Sequence, residues 1–124
     1  MNLELTDEQS FLREAAREAL SRVKTAAAAR EALEDRAALP DLWPTAREAG
    51  WTGLLVSEDN GGAGLGAFEA MLVMAEAGRV LAGVELLGHL PASSLLDVAA
   101  DSRVGSVAAR TVVTFARPAS GPGI

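Results

Sequence analysis

The stretch from Trp51 to Arg79 decides the fold of this chain, and it reads WTGLLVSEDNGGAGLGAFEAMLVMAEAGR. A short apolar run, Leu54–Val56, leads into an acidic and glycine-rich turn. The residues Ala67–Ala77 are then apolar on nearly every face of a helix, with Glu69 and Glu76 as the exceptions. A helix of that composition is expected at the centre of a helical bundle.

The glycines of this turn allow two interpretations. Gly62–Ala67 matches the G-x-G-x-x-G/A pattern that holds a pyrophosphate, and Glu85 follows at about the distance of a ribose-binding acid. However, Glu58 and Asp59 precede the glycines and would repel a phosphate, and the chain offers only one possible βαβ unit. We therefore favour a tight turn that positions the next helix, and keep a small dinucleotide-binding domain as a competing hypothesis.

Length and composition indicate one globular domain. The chain has 124 residues, is 49% hydrophobic and carries a net charge of -6, which argues against nucleic acid as a partner. It contains no cysteine, so disulfides and thiolate metal sites are excluded. The start of the chain lacks the features of a secretory signal, and no apolar run reaches the ~18 residues that a membrane span requires. We therefore expect a cytoplasmic protein without a membrane span.

The first helix is marked by a capping box at Thr6–Gln9 and is expected to run to about Lys24. Its apolar stripe comprises Leu12, Ala16, Ala19, Leu20 and Val23. The other side is charged and is interpreted as a solvated face with weak surface pairs, Glu14 with Arg17 and Glu18 with Arg22.

The next part of the chain connects this helix to the glycine-rich turn. Residues 25–38 either extend the first helix or form a mobile connection. A second helix starts around Pro44, which suits a first helical turn, and Gly50 is expected to end it. Trp43 and Trp51 are interpreted as core residues, because nothing basic surrounds them.

The residues after Arg79 are expected to form a loose segment and then a helix that begins at Pro91. The predicted apolar side of this helix is Leu95, Leu96, Val98 and Ala99. Met71 and Met74 of the preceding helix are interpreted as gap-filling core residues.

The C-terminal part of the chain differs in composition. Asp101 and Ser102 are expected to end the helical region, and Thr111–Phe115 is the best strand candidate. We therefore predict an all-α helical bundle with a short C-terminal strand or extended tail. Residues 1–101 form the helical domain, and residues 102–124 a linker with a possible first strand of a middle β-domain.

Catalytic and metal-binding patterns are not evident. His89 is the single histidine and has no carboxylates at metal-ligand spacing, so no metal site is predicted. Ser93 and Ser94 lack the G-x-S-x-G context of a nucleophile. We predict no catalytic residue and expect His89 to be buried or to line a groove.

Four segments together resemble the N-terminal helical domain of acyl-CoA dehydrogenases in order and spacing. They are Leu5–Gln9, Leu42–Trp43 with Ala49–Val56, Glu58–Leu65, and Met74–Arg79. The family has an apolar turn of the form lGllvpeeyGGaGl, followed by a helix that ends in eelGr. The chain departs from this pattern at Asn60, where an aromatic residue is common, and resembles the family's next helix only loosely between Val80 and Leu96.

The resemblance implies a flavoprotein subunit with three parts: a helical domain, a middle β-domain and a C-terminal helical domain. In such an enzyme a glutamate removes the α-proton of an acyl-CoA while the β-hydride passes to FAD. That glutamate and most FAD contacts lie in the other two domains, so FAD is expected not to bind this chain alone and its cofactor-binding residues stay unknown. The resemblance also implies an acyl-CoA substrate in the complete enzyme and a homo- or hetero-oligomer.

The role left for the helical domain is one wall of the acyl pocket, formed in the family by the segment after Gly78–Arg79. By position, the substrate-binding candidates are Leu86, His89, Leu90 and Ser93. Packing within the bundle would explain these residues equally well. The alternative function is a non-catalytic helical interaction module or partner subunit, and whether the chain is part of an enzyme stays open at this point.

Overall fold

A computed structural model gives the fold of the chain and describes residues 3–109 and Val113. The helices are α1 (Asp7–Ser21), α2 (Thr25–Glu31), α3 (Trp43–Glu48), α4 (Ala67–Arg79), α5 (Leu86–Val98) and α6 (Val104–Ala109). Single 3-10 turns occur at Arg36–Ala38, Trp51–Gly53 and Glu58–Asn60. The predicted all-α fold is therefore confirmed. The predicted strand at Thr111–Phe115 lies, apart from Val113, outside the described residues.

Helix α1 begins as its capping box predicts. Thr6 Oγ1 accepts the Gln9 N–H at 3.1 Å, and Gln9 Oε1 accepts the Thr6 N–H at 3.0 Å. The helix ends at Ser21, before the predicted Lys24, and α2 is a separate helix. The hydroxyl of Thr25 at the start of α2 donates to the Val80 carbonyl at 2.6 Å, which fixes α2 to the end of α4.

Helices α1 and α4 pack side by side and run in the same direction. Near their starts, Gln9 Nε2 donates to Glu69 Oε1 at 3.2 Å. Two turns further along, Arg17 donates to Glu76. This corrects the predicted solvated face of α1, since the partner of Arg17 lies on another helix and not at Glu14; the predicted pair between Glu18 and Arg22 is present at 3.3 Å.

The core lies between α1, α3, α4 and the start of α5. Its buried apolar residues are Ala16, Leu20, Trp43, Ala46, Trp51, Leu54, Ala70, Val73, Ala77, Leu86 and Leu90. The prediction that Trp43 and Trp51 are core residues is confirmed. Gly50 follows α3 with φ of 79°, a left-handed conformation that glycine adopts without steric strain, so its predicted role at the helix end is also confirmed.

Helix α4 is not buried on every face, which corrects the sequence prediction. Ala70, Val73 and Ala77 face the core, whereas Phe68 and Met71 are about half exposed at 46% and 51%. Apolar composition alone cannot separate a central helix from one that leaves an apolar side open, and the described part of the chain covers only one side of α4.

Helix α5 begins at Leu86, so the prediction of a start at Pro91 is wrong. Proline lacks the N–H that would bond the carbonyl four residues earlier, here that of Leu87. Leu87 and Pro91 are both exposed residues, so the lost hydrogen bond lies on the side of α5 that faces away from the core. Proline is therefore tolerated inside this helix.

The predicted apolar side of α5 is right only at Leu96, which packs against the cluster of Val56, Val104 and Ala108. Leu95 and Val98 are exposed, and the side that faces the bundle carries Leu86 and Leu90. The later start of the predicted helix hid these two leucines, which set the register of the buried face.

Helix α6 extends the helical region beyond Asp101 and Ser102, where the sequence predicted its end. The hydroxyl of Thr52 donates to the Ala108 carbonyl at 2.5 Å, and Val104 packs against Val56 in a small second cluster. The division at residue 101 between a helical domain and a linker stays a prediction.

Candidate functional site

An apolar groove of about 290 Å³ lies between α4 and α5. It is lined by Leu55, Ala67, Ala70, Met71, Met74, Leu86, Leu87, Leu90 and Pro91, none of which has a polar side chain. Leu86 and Leu90 are buried at its base, while Met71 and Leu87 are exposed at its rim. The groove can therefore hold an aliphatic group and offers it no side-chain hydrogen bond.

The structure separates the four predicted substrate-binding residues into two pairs. Leu86 and Leu90 line the groove, and His89 and Ser93 are not among its lining residues. The Ser93 hydroxyl donates to the Leu90 carbonyl within its own helix at 2.8 Å. Substrate contact by His89 and Ser93 stays a prediction, and their polar atoms already have partners inside the bundle.

His89 is fully buried and both ring nitrogens are used. Nε2 lies 2.7 Å from the Thr52 carbonyl, and Nδ1 accepts the Val113 N–H at 3.2 Å. The ring meets the Trp43 indole edge-on, with centroids 4.9 Å apart. Burial lowers the pKa of His89, so the imidazole is neutral near pH 7. Of the two predicted positions for His89, buried or lining a groove, the structure shows the buried one.

Sequence reasoning missed the rim of the groove. On α5, Leu87, Pro91, Leu95 and Val98 follow each other at helical spacing and are all exposed. Leu87 and Pro91 belong to the groove, and the row continues from there along the outer side of the helix. The helical spacing of this row is visible in the sequence, but the predicted helix start at Pro91 excluded Leu87 from it.

The glycine-rich turn uses its backbone N–H groups internally. Gly62 donates to the Ser57 carbonyl at 2.9 Å, Ala63 to Gly53 at 2.9 Å, Gly64 to Val56 at 2.8 Å and Leu65 to Leu54 at 3.0 Å. A phosphate cradle needs such groups free and converging on one point. This segment therefore does not fit the pyrophosphate of FAD or of a nicotinamide dinucleotide, and no step is derived through either.

Gly62 shows why this turn needs glycine. A Cβ built there would overlap the Val56 carbonyl and lie 2.6 Å from the Gly53 carbonyl oxygen. Gly61 and Gly64 adopt positive φ values of 86° and 64°, which side chains other than glycine rarely adopt. The glycines thus close the turn upon the backbone of residues 53–56.

A polar network ties the same turn to α5. The Asp97 carboxylate accepts the Ser57 hydroxyl at 2.8 Å, the Ser57 N–H at 3.2 Å and the Asn60 amide at 2.7 Å. These hydrogen bonds lower the pKa of Asp97, and the bond from Asn60 has the largest effect. Asn60, a departure from the family pattern, supplies the amide donor of this network.

The described residues contain neither a cluster of metal-binding side chains nor a helix that could span a membrane. Residues 3–109 and 113 hold no group of three His, Cys, Asp or Glu side chains that could bind a metal ion. Within the same part of the chain, no helix combines the length and apolar character that crossing a membrane demands.

Comparison with known proteins gives one match. The family model described as "Acyl-CoA dehydrogenase, N-terminal domain" matches residues 6–110, which is most of the chain. The chain belongs to this family. No curated protein and no solved structure matches it.

Membership of the acyl-CoA dehydrogenase N-terminal domain family accounts for the fold. The match spans all six helices, including α5, where the sequence resemblance was loosest. Acyl-CoA dehydrogenases are oxidoreductases and are generally FAD-dependent. The glycine-rich turn leads directly into α4, and its N–H groups from Gly62 to Leu65 are bonded to backbone carbonyls.

Proposed function

We propose that this chain is the N-terminal helical part of an acyl-CoA dehydrogenase-like flavoprotein and forms one wall of its acyl pocket. The reaction of the complete enzyme would be α,β-dehydrogenation of an acyl-CoA thioester. The observation that carries the proposal is the groove between α4 and α5, whose nine lining residues are all apolar. FAD, when bound, accepts the hydride, and the parts of the enzyme that hold it lie outside residues 1–124.

The groove residues would act by excluding water from one side of the substrate. Removing water from a closed site strengthens the electrostatic interactions that assist proton transfer. Leu86 and Leu90 give the wall a fixed base because the bundle holds them on their other side. Met71 lies at the rim, and its flexible, polarizable side chain can adapt to an aliphatic chain.

This proposal revises the expected contacts. Leu86 and Leu90 keep their predicted role, and Met71 and Leu87 join them. His89 is better placed to hold the bundle together, because the Thr52 carbonyl and the Val113 N–H already occupy both of its nitrogens.

The proposal also holds that the chain is inactive alone, since none of the residues that line the groove carries a carboxylate that could remove the α-proton. The test is the visible absorption spectrum of the chain, expressed alone and together with its downstream coding region. We expect a colourless protein in the first case and flavin absorbance in the second. Stoichiometric flavin on the chain alone, or its absence from the joint product, would overturn the proposal.

The second candidate is a non-catalytic helical interaction module or partner subunit. The observation in its favour is the exposed apolar row of Leu87, Pro91, Leu95 and Val98, since a partner helix could cover it. The same experiment separates the two functions. A downstream region without dehydrogenase sequence, and a complex without flavin, would favour the interaction module.

A further inference from the structure

The imidazole of His89 joins three separate pieces of the chain. It belongs to α5, it meets the carbonyl of Thr52 in the Trp51–Gly53 turn, and it receives the N–H of Val113 from beyond α6. Thr52 also holds α6, through the bond from its hydroxyl to Ala108. His89 thus links the backbone at Val113 to α5 and to the Trp51–Gly53 turn.

Only one protonation state of the ring satisfies both bonds. Because Nδ1 accepts a hydrogen bond from Val113, it must carry a lone pair and no proton. Nε2 must then carry the proton and donate it to the Thr52 carbonyl, 2.7 Å away. The neutral Nε2–H tautomer follows from this network of hydrogen bonds.

Protonation would act on the two bonds differently. An imidazolium carries a proton on both nitrogens, so Nδ1 would turn a second donor toward the Val113 N–H. That bond would be lost and replaced by repulsion. The bond from Nε2 to Thr52 would persist, since Nε2 remains a donor.

Among the residues that the structure describes, the hydrogen-bond partners of the ring are backbone groups and not charged side chains. The Trp51–Gly53 turn and α6 carry no charged side chain. The charged groups on the other surrounding elements are Arg47 and Glu48 on α3, Glu69, Glu76 and Arg79 on α4, Glu85 and Asp97 at the two ends of α5, and Asp101 and Arg103 before α6. Each of these side chains is exposed or forms an ion pair or hydrogen bond with another residue. Burial disfavours the charged ring, and moving Val113 away would remove the repulsion between its N–H and the protonated Nδ1.

We propose that His89 is a proton-operated latch, whose neutral ring holds the chain at Val113 against α5 and whose protonation releases it. The Thr52 bond keeps the ring in place during release, so the bundle stays folded.

The test is a pH titration of the 124-residue chain by NMR. His89 is its single histidine, so the ring signals are unambiguous. We expect protection of the Val113 amide against hydrogen exchange to fall about tenfold as His89 becomes protonated, which is the weight of one hydrogen bond. The amide of Val73, in the buried part of α4, should keep its protection.

Two variants that do not titrate supply opposite controls. In His89→Asn the side-chain oxygen can replace Nδ1 as acceptor, so Val113 should stay protected at every pH. In His89→Gln the longer amide can reach Thr52 but leaves Val113 without an acceptor, so protection should be low at every pH. The proposal is overturned if wild-type Val113 protection is constant while His89 titrates, or if His89 stays neutral until the whole chain unfolds.

Discussion

Arg17 on α1 and Glu76 on α4 form a two-point ion pair, with Nη2 2.8 Å from Oε1 and Nε 3.1 Å from Oε2. The Glu76 side chain is only 6% exposed, and Arg79 Nε donates to the same Oε2 at 3.0 Å. The hydrogen bonds from Arg17 and then Arg79 lower the pKa of Glu76. This buried carboxylate fixes the register of the two parallel helices.

Glu76→Gln should therefore destabilise the fold. The change keeps the size of the side chain but removes the charge that both arginines neutralise. Because the arginines are half exposed and can be hydrated, we expect a loss of about 1–3 kcal/mol, the range for hydrogen bonds to charged groups. Urea unfolding followed by the fluorescence of the buried tryptophans measures it. Glu18→Gln, in the exposed pair with Arg22, is the matched control and should change stability by less than about 0.5 kcal/mol.

The same carboxylate predicts a pH dependence. The folded chain binds fewer protons at Glu76 than the unfolded chain, because its pKa is lowered on folding. The stability it contributes is complete above the ordinary glutamate pKa of about 4.3, and is lost as the pH falls through the lower, folded-state value. The stability of Glu76→Gln should fall less steeply in that range, and equal slopes for the two proteins would contradict the account.

Gly62→Ala should be among the most damaging small substitutions in the chain. Its Cβ would overlap the Val56 carbonyl, and backbone cannot move aside as a flexible side chain can. We expect a loss of about 3 kcal/mol, at the upper end for overpacking. Gly78→Ala is the control, since nothing lies within 4 Å of its Cβ and alanine favours a helix by about 0.5–1 kcal/mol. Thermal unfolding of both proteins checks the contrast.

The isolated chain should not bind NAD or FAD. The four N–H groups from Gly62 to Leu65 are bonded to backbone carbonyls, and opening them would unfold the turn. Calorimetric titration to millimolar ligand should show no saturable heat. Saturable binding that Gly64→Val abolishes would restore the dinucleotide hypothesis.

Local signals in the sequence predicted much of this fold. The capping box at Thr6–Gln9, the left-handed Gly50 and the burial of Trp43 and Trp51 depend on residues close in sequence or on strong burial preference. The prediction of a tight turn at the glycines agrees with the backbone hydrogen bonds from Gly62 to Leu65.

The parts that failed depend on tertiary contacts. The partner of Arg17 lies 59 residues away, and nothing near Arg17 in the sequence points to it. Pro91 favours a helix start by local preference, yet it lies inside α5, on the side of the helix that faces away from the core. Leu86 and Leu90 were named by position and both line the groove, although their contact with substrate stays a prediction. Met71 was missed because composition did not show that this side of α4 is exposed, and Leu87 because it precedes the predicted start of α5.

Leu87→Asp should weaken the complete flavoenzyme at its acyl pocket. A carboxylate at the rim of the groove would have to be desolvated beside an aliphatic chain, so we expect kcat/KM for a saturated acyl-CoA to fall roughly tenfold or more. Leu33→Asp is the matched control, because Leu33 is similarly exposed at 86% and is not among the groove residues. Equal losses in the two variants would argue against the groove.

The most direct test of the pocket wall is photolabelling of the complete flavoenzyme with an acyl-CoA that carries a diazirine at its methyl end. Our account predicts labels on the groove residues of α4 and α5, foremost Met71, Leu86, Leu87 and Leu90, and protection of these residues by unlabelled substrate. Specific labelling that is confined to other domains, with none between residues 67 and 91, would contradict it.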